Sequence, residues 1–234
     1  MIHLAKNADA IFTTHKYLAG RLKRYNKNTH IAPNAIDPNQ PQWQTTSKVL
    51  DDMTIFGWCG GVHHQSDLEL MTESLQMARE NNLNLALGGY NKSVVWNNFE
   101  TIFSGGDYKN YVRIEGQDVY NYGKIYDYFT TCLIPLRNNE FNKCKSELKM
   151  IEAGFKKKAV IVSDVHPYTN LINNDNCLKV DEARKTNGWF KAMKRIADSK
   201  DLEEHLANEL YQSVVVKHHI KNVNKVREEV FNSL

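Results

Sequence analysis

The chain has 234 residues, 41% hydrophobic and 24% charged, a composition ordinary for a soluble globular protein and enough for one large domain or one domain plus a smaller piece. A net charge of +3, with Lys and Glu mixed along the chain, is too mild to argue for a nucleic-acid partner. Cys59, Cys132, Cys144 and Cys177 are widely spaced with no C-x-x-C pair, which argues against a disulfide framework or a structural zinc site. No run approaches the roughly 20 apolar residues of a membrane span. The opening residues lack the apolar core of a signal peptide, so the expected location is cytoplasmic.

In chain order, Ala10 to Thr13 reads as a strand, and Thr14 as the N-cap of a helix over residues 15–25. His30, Ile31 and Ala32 form a short strand ended by Pro33. Residues 34–47, polar and holding Pro38 and Pro41, read as a linker. Thr54 to Cys59 is a strand followed by a Gly-rich turn, and a continuous helix over residues 67–81 puts Leu68, Met71, Leu75 and Ala78 on one face. Leu83 to Leu87 is a strand ended by Gly88 and Gly89. Strands at 111–114 and 132–136 flank a helix near 122–129. A helix over 146–156 leads to Ala159–Val162, an apolar run typical of a central parallel strand. From Lys185 onward the pattern is helical, with one stripe of Leu202, Leu206, Leu210 and Val214 and a weaker one of Val223, Val226, Val230 and Phe231. The alternation predicts an α/β fold with a doubly wound, Rossmann-like parallel sheet.

Two segments could carry chemistry. Gly60 and Gly61 follow a strand and precede a helix that begins near Asp67, the place where doubly wound sheets bind ligands and helix amides favour anions. A tight turn without a ligand fits those glycines equally well. His64 in the same turn, beside His63, is read as a solvated histidine unless its neighbours give it a ligand, since no nearby Cys or second histidine pair stands at metal-ligand spacing. The second segment runs from Asn142 to Gly154. Ser146 suits a helix N-cap, Lys145 and Lys149 flank that helix start, and Glu152 lies a turn deeper. Such a start could seat a diphosphate, with the carboxylate accepting from ribose hydroxyls. Spacing alone favours a plain amphipathic surface helix, since Lys156, Lys157 and Lys158 show this chain collecting surface lysines. Tyr120, Tyr122, Tyr126 and Tyr128 read as packing and surface. No Walker loop, Gly-x-Ser-x-Gly elbow or G-x-G-x-x-G fingerprint is present, so P-loop NTPase, α/β-hydrolase and NAD-dependent readings are unsupported.

Several passages in order resemble the GT-B glycosyltransferases of the large retaining class. ADAIFTTHKYLAGRL and HIAPNAID are similar to the end of the acceptor domain and its passage into the donor domain. IFGWCGGVHHQSDLELM resembles the strand and Gly-rich loop before the first donor-domain helix. CLIPLRNNEFNKCKSELKMIEAGFKKKAVIVSDVHPY resembles the family's "K-S-x-x-K-x-x-E … S-D-V-x-P-Y" region. The resemblance implies a GT-B donor domain over 48–218, an acceptor-side remnant and linker over 1–40, and a final helix, 219–234, packing back on the N-terminal segment. It implies donor binding by Gly60, Gly61, His64, Lys145, Ser146, Lys149 and Glu152: ribose on Glu152, diphosphate between Lys145, Ser146 and Lys149, and room for phosphates and sugar beside the glycines. The implied reaction is sugar transfer from a nucleotide-sugar donor to an unspecified glycan, lipid or protein acceptor, with no metal or other cofactor. A non-catalytic nucleotide-sugar-binding or partner-binding module is the alternative. Two departures stand out. Where many members carry a second glutamate eight positions before the ribose-binding one, this chain has Cys144. About forty residues precede the donor domain, too few for a full acceptor domain, so a fragment or a naturally short chain is expected, with an exposed apolar patch and homodimerisation as a consequence.

Overall fold

The N-terminal segment is a small α/β unit: α1 (Ile2–Asn7), β1 (Ile11–Thr13), α2 (Lys16–Leu22) and β2 (Thr29–Ile31), with β1 and β2 paired in parallel. In this computed structural model, residues 2–44, 48–49, 52–173, 175–181 and 187–234 are described. Lys185, where the C-terminal helical pattern is expected to begin, and residues 45–47 of the expected linker lie outside them. The N-cap of α2 is His15, not Thr14: the His15 ring accepts from the Leu18 N–H.

Six apolar runs build the main sheet: β3 (Ile55–Cys59), β4 (Asn84–Tyr90), β5 (Tyr111–Glu115), β6 (Thr131–Ile134), β7 (Ala159–Ser163) and β8 (Leu178–Val180). Their order is β5-β4-β3-β6-β7-β8, with every pairing parallel, so the expected doubly wound sheet is present. Alternate residues along β3 divide between two cores. Phe56 and Trp58 pack with Leu68, Leu75, Phe99, Phe103 and Met193 on one face. Ile55 and Cys59 face the opposite layer, where Met150, Ile151, Leu210 and Val214 lie. Helices therefore cover both faces, as an all-parallel sheet requires.

The helices on the first face are α3 (Gln65–Leu68), α4 (Thr72–Glu80), α5 (Val94–Ser104) and, at one edge, α7 (Gly188–Ala197). The single helix expected over 67–81 is broken by a 3-10 turn at Glu69–Met71, yet Leu68, Met71, Leu75 and Ala78 are all fully buried on one side. β4 runs through Gly88 and Gly89 instead of ending there. A register shift sits between Gly88 and Tyr90, and Gly89 takes φ +97°, a conformation only glycine adopts without strain. Residues 122–128 form a 3-10 segment whose Ile125 and Tyr126 are buried.

On the other face lie α6 (Leu148–Phe155) and α8 (Lys200–Val215), followed by α9 (Ile220–Phe231). Ile36 meets the start of α9: Ile36 N–H donates to His218 O at 2.9 Å and Ile220 N–H to Ile36 O at 3.0 Å. His218 Nδ1 donates to Asn34 O at 2.9 Å, and the Phe12 and Phe231 rings stand 5.6 Å apart.

The three consecutive lysines correct the surface reading. Lys156 and Lys158 are buried; only Lys157 is exposed. The Lys156 ammonium donates to Gln42 O at 3.0 Å and Gln44 O at 2.8 Å and pairs with Asp127 at 2.8 Å. All three of its protons have acceptors, which is what a fully buried ammonium needs. The same bonds pin residues 42–44 over the end of α6. Burial holds the Lys158 pKa down, to about 8.

Candidate functional site

The strand order reverses once. β3 is followed by β4 and β5 on one side, after which the chain returns to place β6 on the other side of β3. The carboxyl ends of β3 and β6 therefore diverge, leaving a crevice, the usual ligand position of an open α/β sheet. Gly60, Gly61 and His64 follow β3. Residues 137–146 follow β6 and lead into α6, which carries Lys149 and Glu152. The topology thus brings together the two segments that the sequence singles out.

Lys149 reaches back across the crevice. Its Nζ donates to Cys59 O at 2.6 Å and lies 4.5 Å from the centre of the Trp58 ring. A β-carbon at Gly60 would stand 2.6 Å from that Nζ and 2.7 Å from the Trp58 ring, so glycine is required here for close approach. Burial lowers the Lys149 pKa.

Glu152 is 5% exposed and its Oε2 accepts from the Tyr126 hydroxyl at 2.8 Å. Burial pushes its pKa up to about 7, against the opposing hydrogen bond from Tyr126 and the charge of Lys149. The carboxylate borders a cleft of about 640 Å³ lined also by Asn34, Asp37, Gln42, Gln117 and Tyr122. A buried acid at the wall of a cleft of this size is positioned to accept from a ligand's hydroxyls. The surface-helix reading of this segment therefore fails: six of the eight α6 residues, Glu152 among them, are buried.

Asp67 organises the rest and is the residue that sequence reasoning left out of the site. It is 2% exposed. One carboxylate oxygen accepts from Arg137 N–H at 3.0 Å and Asn142 Nδ2 at 3.1 Å; the other accepts from His64 Nδ1 at 2.9 Å and Lys145 Nζ at 3.4 Å. Burial works to raise its pKa, but the His64 and Arg137 hydrogen bonds and the Lys145 charge outweigh it and hold it at about 2. For His64 the Asp67 bond works upward, while burial and the charges of Lys149 and Lys145 outweigh it, so its pKa is lowered. A neutral His64 that donates through Nδ1 leaves Nε2 as an acceptor. The only sequence signal for this arrangement was the three-residue spacing of His64 and Asp67.

Ser146 is not the helix N-cap; Glu147 holds that position. The Ser146 hydroxyl instead accepts from Asn34 Nδ2 at 2.6 Å, leaving its own proton free to donate. Gly61 is exposed and has open space around it.

The fold is that of the GT-B glycosyltransferases. The chain is similar to sucrose-phosphate synthase from Thermosynechococcus elongatus (TM-score 0.72, 15% identity), spanning all of this chain and 61% of that one. It is similar to TarM of S. aureus, crystallised with UDP among other ligands (TM-score 0.73, 14% identity, 99% of this chain and 45% of that one). HepE of Anabaena, crystallised with UDP-glucose, superposes with TM-score 0.77 at 10% identity over 100% of this chain and 66% of that one. The chain thus spans less than two thirds of these proteins. No protein-family model and no curated protein sequence matches it. No helix among the described residues is long and apolar enough to cross a membrane.

Proposed function

We propose that the β3–β6 crevice binds the nucleoside diphosphate of a nucleotide sugar and that the chain serves a glycosyltransferase, moving that sugar to a glycan, lipid or protein acceptor. The observation that carries this reading is the convergence, at one switch point, of an ammonium (Lys149) held at the Gly60 backbone with a buried, cleft-lining carboxylate (Glu152). Glu152 accepts from the ribose hydroxyls. Lys149, Lys145, the Ser146 hydroxyl and the backbone amides at the start of α6 receive the diphosphate. The same groups stabilise the charge that develops on the diphosphate as the bond to the sugar breaks. With lysines and helix amides in that role the reaction proceeds without a metal ion. Cys144, in place of an acid, leaves the sugar to be held by other groups.

The test is calorimetric titration of the whole chain with UDP and GDP in the presence of EDTA, UDP being the nucleotide bound in several structures of this fold. Saturable binding of either supports the reading, and absence of both rejects it. Release of nucleoside diphosphate from a nucleotide sugar, with and without candidate acceptors, separates a transferase from a module that only binds.

A further inference from the structure

The segment carrying Lys145 and Ser146 is held at three points by side chains remote in sequence. His166, in the loop after β7, donates through Nδ1 to Lys143 O at 2.9 Å. His15, buried at the start of α2, contacts Lys145 O through Nε2 at 2.7 Å. Asn34, after β2, donates to the Ser146 hydroxyl at 2.6 Å. A carbonyl oxygen only accepts, so Nε2 of His15 carries its proton, while Nδ1 accepts from Leu18 N–H at 3.4 Å. One neutral tautomer therefore satisfies both the α2 cap and the bond to the donor loop. The His15 and His166 rings lie 4.9 Å apart, edge to face, so two of the three holds also support one another. Two of the three come from the N-terminal segment.

We propose that His15, Asn34 and His166 are positioning residues of the diphosphate seat, and that the N-terminal segment is part of the donor site instead of a separate remnant beside it. This inference rests on the reading above. Neither His15 nor His166 needs to touch the nucleotide, while Asn34 also lines the cleft beside Glu152. By fixing the backbone at 143–146 they place the Lys145 ammonium and direct the Ser146 hydroxyl proton toward the crevice, since Oγ is already occupied as an acceptor. The cost of ordering this loop is met by the fold before the ligand arrives, which favours binding of the group the loop contacts. The nucleoside, held on the Glu152 side of the cleft, does not depend on the His15 and His166 bonds.

That separation gives the test. UDP and uridine are titrated into the whole chain and into His15→Ala, His15→Gln and His166→Ala, with melting curves confirming folding. The alanine variants should bind UDP roughly 3–30-fold more weakly and uridine within about twofold of the wild type, as for loss of one hydrogen bond that orders a charged contact. His15→Gln, whose amide can still donate to Lys145 O, should recover most of the UDP affinity. His166 is half-buried, so its variant keeps the test open if the buried His15 position proves intolerant. Unchanged UDP affinity in the alanine variants overturns the inference, as does an equal loss for UDP and uridine. A wild type that binds neither UDP nor GDP overturns the reading of the crevice itself, and this inference with it.

Discussion

Replacing Lys149 by alanine is expected to weaken UDP binding roughly 10–100-fold and uridine binding by less than about twofold, on the order of 1.5–3 kcal/mol for a charged hydrogen bond to phosphate. The Lys149 ammonium spends one donor on Cys59 O and rests on the Trp58 face. Its remaining protons are available to an anion entering beside Gly60. Burial lowers its pKa, which means that the charge is held at a cost and that an arriving diphosphate relieves it. Loss of the ammonium should therefore fall on the charged part of the ligand. Lys149→Met keeps the apolar stem against Trp58 and separates lost packing from lost charge. Titration of UDP and uridine into both variants reads the result. If the two variants match the wild type for UDP, Lys149 is not a phosphate ligand.

Glu152 gives the second large effect, on stability as a function of pH. Its folded-state pKa is raised by burial to about 7 from an ordinary 4.5. Between those values the folded chain holds a proton that the unfolded chain has released, so stability falls as pH rises through the window and levels off above about pH 7. The loss by pH 8 is on the order of 3 kcal/mol. Glu152→Gln stays neutral throughout and should remove most of that decline, leaving the variant more stable than wild type at about pH 8 and close to it at about pH 5. Urea unfolding at the two pH values measures this; parallel losses in both proteins would contradict it. The same residue couples to the ligand. Ribose hydroxyls donating to the carboxylate favour its ionised form, so UDP binding near neutral pH should release a proton in the wild type and none in the glutamine variant.

The sheet was legible because its strands are short apolar runs bounded by Gly, Pro or polar residues, and because the family resemblance ordered them. α5 was not: VVWNNFETIFS is rich in β-branched and aromatic residues, and periodicity assigned it no element. Its buried Trp96, Phe99 and Phe103 do follow helical spacing, and Gly105 at φ +61° ends it, so a signal was present. The lysine run misled because composition says nothing of direction. Lys156 turns inward only because Gln42, Gln44 and Asp127 converge on it. At the site, spacing alone favoured a surface helix and the family resemblance implied Lys149 and Glu152, whose burial depends on the register of α6 against the sheet. Apart from the His64–Asp67 spacing, the Asp67 network and the holds from His15 and Asn34 join residues 70 to 130 positions apart, and no local pattern encodes them.

The crevice between β3 and β6 is proposed as a nucleoside-diphosphate seat. A crystal structure of the whole chain with UDP tests it most directly. The ribose hydroxyls are expected on the Glu152 carboxylate and the diphosphate between Gly60, Lys149 and the start of α6, with the 143–146 backbone where His15 and His166 hold it. UDP bound elsewhere on the chain, or lying in the crevice without touching either Lys149 or Glu152, would contradict it.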